Sequence, residues 1–514
     1  MTMTEQKSEA QQPLGATHPR AARTDGPWFR PLAGSWDARE WCRRHFVVLS
    51  TAILLLAAFN LTFRLGREIV IEWDESLYAT SAMEMVQSNQ WVAPTFHGSI
   101  DYYNSKPPLN IWLIALSFKA FGQNFWSLRV NSVLAAWLSV LTLLLWARAH
   151  FGPTVALLAS GVLSTCYAFI YLHAGRSANP DALLTLLILL TAVVLTAARR
   201  HPSARIWLGP IAAGVFMLKG MAVLMPLAMI LAAEMVADRP KPRRWASLSV
   251  AGLLFLAPVL AWGVARWRID RWHFFERMVA YDFLSGTLTA LEGHSGSPLY
   301  YVNILQKDQY EWLIAAAVAL FVLWTQWRTA GALPRHPRAH VWRVVGIWAG
   351  VTLLVPTVMQ TKLPWYINSF YPVFALGVGW LLASALAAPV RYRSGFTAGH
   401  VAAMALLLAL ASVEGRLIWY SHHYRDVNGS IQGVLLAEGV HMNGQRVFGI
   451  DWNRADWFVA KAFARAEPVP LSNLDAFWRE SQVGDYLVSA KALQDPRIST
   501  VRFNSTSLLH RRQQ

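Results

Sequence analysis

Two carboxylates stand side by side in Trp73-Asp74-Glu75-Ser76, and a lysine precedes two prolines in Tyr102-Tyr103-Asn104-Ser105-Lys106-Pro107-Pro108. Further along the chain come Arg176 and Asp181, then Lys219-Gly220, then Glu292 and His294 ahead of Tyr300 and Tyr301, then Lys362 with Trp365 and Tyr366. Lysine and arginine hold phosphate, and a carboxylate takes up a proton or faces a developing positive charge. Several cations gathered with two or three carboxylates would therefore suit a phosphate-bearing lipid. Each residue also has a plainer reading. Asp74 and Glu75 could cap a helix N-terminus. Lys106 could mark a turn before Pro-Pro, and Arg176 could pair with Asp181 to close a loop. Lys362 could snorkel among aromatic anchors. Glu292 and His294 are a weak metal signal, which leaves a divalent metal open and no other cofactor indicated.

What must position these residues follows from composition. The 514 residues are 54% hydrophobic and only 15% charged, yet carry 46 Lys+Arg against 30 Asp+Glu and a net charge of +16. Soluble domains hold about 25% charged residues, and a nucleic-acid binder clusters its basic residues on a polar surface. Here long apolar runs separate small groups of arginine, which indicates an α-helical polytopic membrane protein and no nucleic-acid partner. Runs of about 20 apolar residues, enough to span the bilayer, lie near 46–63, 128–147, 153–173, 181–198, 247–265, 309–327, 341–359, 367–388 and 397–418. The stretch 206–237 is too long for one crossing and is broken at Pro210, Lys219-Gly220 and Pro226, with basic residues at both ends. Short basic loops stay in the cytoplasm, so this stretch is expected to be a hairpin, giving eleven crossings. Its tip, Lys219, should then be recessed below the membrane surface, where a cation needs an anion or a water-filled cavity.

The same rule places residues 1–44 in the cytoplasm as a disordered tail, residues 45–420 in the membrane body, and residues 421–514 on the outer face as a small α/β domain. Strands are expected at 446–450, 485–489 and 500–503, and helices at 453–466 and 475–481. The long outer loop 64–127 should carry helices that lie along the membrane. Every outer connection then holds at least one of the ionisable groups above, which points to one polar site at the outer membrane boundary. Cys42 and Cys166 fall in the tail and a membrane helix, so no disulfide framework is expected. A transporter is the competing class, but transporters place polar groups near the midplane on related repeats, and no repeat is evident. A lipid-processing enzyme fits better.

Trp73-Asp74-Glu75 with Tyr78 and Met83, Trp91-Val92-Ala93-Pro94, and Tyr103 to Lys106-Pro107-Pro108-Leu109 with Trp112 resemble the first outer loop of bacterial GT-C glycosyltransferases. The nearest group is the 4-amino-4-deoxy-L-arabinose transferases that modify lipid A, with their protein O-mannosyltransferase relatives. Arg176, Asp181-Ala182-Leu183, Leu218-Lys219-Gly220, Lys362, Tyr366 and Tyr371-Pro372 continue the match in order, over roughly residues 70–375. The resemblance implies a GT-C fold and inverting transfer of a sugar from a polyprenyl phosphate, typically undecaprenyl phosphate. The acceptor would be a lipid or glycolipid such as lipid A, or a protein, at the periplasmic face of the inner membrane. It also implies Asp74 as the main catalytic carboxylate, supported by Glu75, with Asp181 as a second. Lys106, Arg176, Lys219, Lys362 and Tyr366 would serve the donor and its phosphate, and Glu292, His294, Tyr300 and Tyr301 would form a substrate or metal loop. Ser105 departs from the acidic residue common before this lysine in aminoarabinose transferases, so the sugar is not carried over. The eleven expected crossings are also fewer than the roughly thirteen expected of those enzymes.

Overall fold

The structure is a computed structural model that describes residues 38–236, 242–330, 339–387, 398–423, 425–489, 495–503 and 508–512. Most of the expected tail, residues 1–37, and parts of the basic loops around 237–241, 331–338 and 388–397 lie outside the described residues. Residues 38–44 correct the expectation of a disordered tail up to residue 44. They form a helix, Ala38–Arg44, in which Arg43 and Arg44 pair with Glu40.

The chain is a multi-pass membrane protein. Among the described residues eight helical segments are long and apolar enough to cross a bilayer: 46–67, 125–151, 202–235, 244–270, 310–328, 339–358, 364–386 and 399–423. Their outer surfaces carry Val47, Leu55, Leu253, Leu260, Leu407 and Leu408 exposed. A belt of such side chains suits lipid, because the bilayer removes the cost that water would impose. The 153–173 run does not form one helix. It divides at Thr165-Cys166 into Pro153–Ser164 and Tyr167–Tyr171. Pro153–Ser164 packs closely on Tyr371–Leu386 because Gly379 lies against Ala159, where an added Cβ would sit 2.5 Å from the Ala159 nitrogen. Small residues permit this close backbone approach between apolar helices.

The 202–235 segment is a hairpin, as its flanking charges indicate. Helices Leu208–Lys219 and Leu224–Met235 are joined by a short 3₁₀ turn at Gly220–Val223. Its two ends meet: Arg205 Nε donates to Glu234 Oε1 at 2.9 Å, and Arg244 pairs with the same carboxylate. Each 12-residue arm is about 18 Å long at 1.5 Å per residue, so the tip lies far from those paired ends.

The segment after the first crossing folds as helix Asp74–Ser88, a two-stranded hairpin at residues 95–100, and helix Leu109–Phe121. Beyond residue 425 lies a five-stranded sheet with spatial order 467–471, 446–450, 486–489, 508–512, 498–503. Strand 467–471 reads Glu-Pro-Val-Pro-Leu and occupies an edge. Pro468 and Pro470 alternate, so both missing N–H groups point away from the neighbouring strand, the arrangement that lets proline sit in a sheet. This unit is not loosely tethered. Val434, Val447, Phe458 and Val459 share one buried core with Tyr78, Ala82, Met83 and Ile114 of the two loop helices.

Candidate active site

Asp74 opens helix Asp74–Ser88. Its neighbour Trp73 holds φ at +70°, and His173, across the site, holds φ at +56°. Positive φ costs a non-glycine residue about 1–3 kcal/mol and persists where the surroundings over-determine it. Here the two strained residues flank one carboxylate: His173 Nδ1 lies 3.9 Å from Asp74 Oδ2, and the imidazole stacks on Trp365 with centroids 3.7 Å apart. Burial opposes ionisation of Asp74, but the charges of Lys106, His173 and Lys219 together hold its carboxyl below the usual aspartate range. Burial conversely pushes the His173 imidazole down, towards its neutral form. His173 escaped the reading of the sequence; its signal was an ionisable side chain three residues before Arg176, in the same turn.

Lys219 lies at the hairpin tip, and its Nζ donates to Asp181 Oδ1 at 2.6 Å, with the Tyr366 ring 5.7 Å away. Asp181 begins helix Asp181–Ala197 and is buried, so the recessed cation has its anion. Gly220 makes this tip possible. Its φ is +49°, and an added Cβ would lie 3.5 Å from Pro107 and 3.2 Å from the Met278 sulfur. The close approach sets Lys219 against the Lys106-Pro107-Pro108 turn, where Lys106 Nζ sits 5.7 Å from the Tyr78 ring. Lys106, Asp181, Lys219 and Tyr366 line one end of a cavity of about 290 Å³. The remaining wall is largely apolar, with Leu224, Met225, Phe283, Val355 and Met359.

Other expected site residues lie elsewhere, which changes their roles. Glu75 is fully buried and turns away from Asp74. It takes two hydrogen bonds from Arg129 (2.8 and 2.9 Å) and one each from the Ile71 and Ala178 amides, both at 2.8 Å. Burial opposes its charge, yet Arg129 and those amides hold its carboxyl below the usual glutamate range. It is a clamp joining the first loop, a membrane helix and the turn before Asp181. Arg176 pairs with neither Asp181 nor the cavity. Its guanidinium is wholly buried, bonded to Glu68 at 2.9 Å and to the Asn60 and Phe63 carbonyls. Lys362 caps the end of helix Ala339–Val358, donating to the Pro356, Thr357 and Met359 carbonyls that the helix leaves unmatched.

Glu292 is exposed and accepts the Tyr103 hydroxyl at 3.0 Å. His294 is exposed too, and its carbonyl takes the Lys362 amide. Tyr300 and Tyr301 pack edge-to-face, with Tyr301 buried. Among the described residues no three His, Cys, Asp or Glu side chains come together as metal ligands. Glu292 and His294 belong to no such cluster, and no step below uses a metal.

The pair at the tip makes a direct prediction. Lys219→Met or Asp181→Asn alone leaves the other charge recessed without its partner, which costs about 3 kcal/mol or less because Lys219 keeps some exposure. The double variant should melt above at least one single variant in thermal unfolding of the purified protein. Strictly additive losses would show that the two groups do not act as a pair.

The dolichyl-phosphate-mannose-protein mannosyltransferase family matches residues 105–262. The chain is 29% identical over 70% of its length to the undecaprenyl phosphate-alpha-4-amino-4-deoxy-L-arabinose arabinosyl transferase 2 of Pseudomonas fluorescens. It is 30% identical over 65% of its length to the corresponding Pseudomonas aeruginosa transferase. The matches span 64% and 60% of those relatives. Crystal structures of ArnT from Cupriavidus metallidurans, bound to undecaprenyl phosphate and in the apo state, superimpose with TM-scores of 0.64 and 0.63. Each is 15% identical; they cover 92% and 91% of this chain, and 98% of each ArnT chain is matched. The structural similarity shows an ArnT-like fold across nearly the whole chain.

Proposed function

We propose that this GT-C chain, akin to the 4-amino-4-deoxy-L-arabinose transferases and protein mannosyltransferases, moves a sugar from a polyprenyl-phosphate donor to an envelope acceptor with inversion. The observation that carries the reading is the half-apolar cavity. Lys106, Lys219, Asp181 and Tyr366 line it, and the same two lysines favour the ionised form of the neighbouring Asp74. A polyprenyl chain suits the apolar wall, and its phosphate suits the lysine end. The arabinosyl transferase relatives, named for undecaprenyl phosphate, support this donor class.

The chemistry follows from charge. An acceptor oxygen attacks the anomeric carbon while the bond to the lipid phosphate breaks. The phosphodiester, with one negative charge, then leaves as a monoester with a second. Lys106 and Lys219 are placed to stabilise that added charge, and the Asp181 carboxylate orients the Lys219 ammonium for it. With a hydroxyl acceptor, Asp74 takes the proton released at attack. With a phosphate acceptor, already ionised, Asp74 positions the reacting groups. Water is kept from the anomeric carbon by the apolar wall.

Eleven crossings are part of this reading. The hairpin arms, helix Asp181–Ala197 and the divided 153–171 segment supplement the other seven long helices. The N-terminus would lie in the cytoplasm, and the sheet-containing unit and site on the periplasmic face of the inner membrane. The acceptor is proposed to be lipid A or another glycolipid, and the mannosyltransferase-family match favours a protein as the second reading. Mass spectrometry of lipid A, glycolipids and envelope proteins from wild-type and deletion cells separates them. A glycolipid that loses one sugar mass supports the first reading; a protein that loses it supports the second. Unchanged envelopes with altered solute uptake would instead indicate a transporter.

A further inference from the structure

Arg454, from the unit beyond residue 425, reaches over the first loop beside Asp74. Its guanidinium carbon lies 5.0 Å from the Trp73 ring, 5.5 Å from Tyr103 and 5.8 Å from Phe96. Three aromatic faces fix a guanidinium in orientation, yet its Nη1 is buried without a hydrogen-bond partner. The loop below holds more unmet polar atoms. The Asp101 Oδ2, both amide atoms of Asn104 and the Ser105 hydroxyl are buried and without partners, on residues 7%, 4% and 1% exposed. Asp101 lies close enough to both Lys106 and Arg454 to feel their charges. Trp73 and Tyr103 remain 55% and 40% exposed. Buried polar groups are ordinarily matched, so a concentration of unmet donors and acceptors beside exposed aromatic rings fits a hydroxylated ligand.

We propose that Arg454, Trp73 and Tyr103 form the acceptor subsite, and that it takes the acidic sugar headgroup of a glycolipid. Arg454 pairs with the anionic group, and the exposed face of Trp73 stacks on the sugar ring. The planar guanidinium fork matches phosphate and carboxylate alike. Trp73 directly precedes Asp74 and does not line the donor cavity, so an acceptor seated on it would meet the donor across Asp74. The C-terminal unit thus contributes a binding residue to a site otherwise built by the membrane body. The inference rests on the transfer reading for its biological meaning, but its test reads binding alone.

The probes are bis-phosphorylated lipid A, dephosphorylated lipid A and a glucuronate-bearing glycolipid, titrated against the full-length protein in nanodiscs. The wild type should bind at least one acidic form about tenfold more tightly than the dephosphorylated one, the size expected for a charge-assisted contact. Arg454→Gln should abolish that difference and leave the weak binding of dephosphorylated lipid A unchanged, and Arg454→Lys should retain part of it. Preference for phosphate or glucuronate identifies which anion the site takes. Equal binding of all three probes by the wild type would overturn the proposal. So would a loss in Arg454→Gln that is the same for acidic and neutral probes, the mark of a structural arginine. Should Arg454→Gln not fold, the Arg454→Lys variant and the wild-type ranking still decide. Failure of sugar transfer with this ranking intact would count against the proposed function and leave the subsite standing.

Discussion

Asp74→Asn should reduce sugar transfer by about a thousandfold or more, the range expected when a reacting carboxylate is removed, while expression and melting temperature stay close to wild type. The substitution is nearly isosteric. Asp74 is partly exposed, and His173 Nδ1 lies 3.9 Å from its carboxylate, too long for a hydrogen bond, so the substitution should leave the fold intact. Burial opposes the Asp74 charge, but Lys106, with His173 and Lys219, keeps the carboxyl below the usual aspartate range. The rate should therefore hold steady as pH falls through ordinary aspartate titration and decline only at still lower pH. A steady-state assay with a radiolabelled polyprenyl-phosphate sugar reads both effects. A well-inserted Asp74→Asn variant with full turnover would remove Asp74 from the mechanism.

Glu75→Ala should have the opposite profile: collapse of the protein and not a selective loss of catalysis. It would remove four hydrogen bonds and leave the buried Arg129 charge with only the more distant Glu68 carboxylate, 4.0 Å away. Breaking a buried pair this way costs about 3–5 kcal/mol, a large share of the roughly 5–15 kcal/mol of a typical fold. Glu75→Ala should barely accumulate or should melt far below wild type by fluorescence-detected size exclusion, with Glu75→Gln in between. Because the folded carboxyl titrates below its unfolded value, the clamp contributes in full at neutral pH and is lost on acidification through the depressed range. A Glu75→Ala protein that melts normally but turns over slowly would return Glu75 to the catalytic group.

The contrast between these adjacent carboxylates marks how far the sequence alone could reach. Apolar runs located the long helices, and basic flanks indicated a hairpin over 206–237, which the structure forms from helices Leu208–Lys219 and Leu224–Met235. The order of the ionisable stations indicated that Asp74, Lys106, Asp181, Lys219 and Tyr366 belong together; the structure gathers Lys106, Asp181, Lys219 and Tyr366 around one cavity, and the two lysines act on the neighbouring Asp74. Which neighbour each charge meets was not legible. Arg129 lies within an apolar run, where an ionisable group demands a partner, but nothing in the run names Glu75, 54 residues earlier. Arg176 was expected to meet Asp181 or the donor phosphate, and Glu68, 108 residues away, holds it. Strand 467–471 was hidden because its two prolines read as loop, and only the edge position in the sheet makes them acceptable. Arg454 was invisible as a site residue because its address depends on how the last hundred residues dock on helix Asp74–Ser88.

The central claim is that the cavity binds a lipid-phosphate sugar and that Asp74 directs its transfer. The most direct measurement uses purified wild-type protein in liposomes with a radiolabelled polyprenyl-phosphate sugar and extracted envelope lipids, following label in the acceptor and free polyprenyl phosphate together. The account predicts one polyprenyl phosphate released for each sugar transferred, and neither with Asp74→Asn. Movement of label across the liposome membrane with no polyprenyl phosphate released would contradict it.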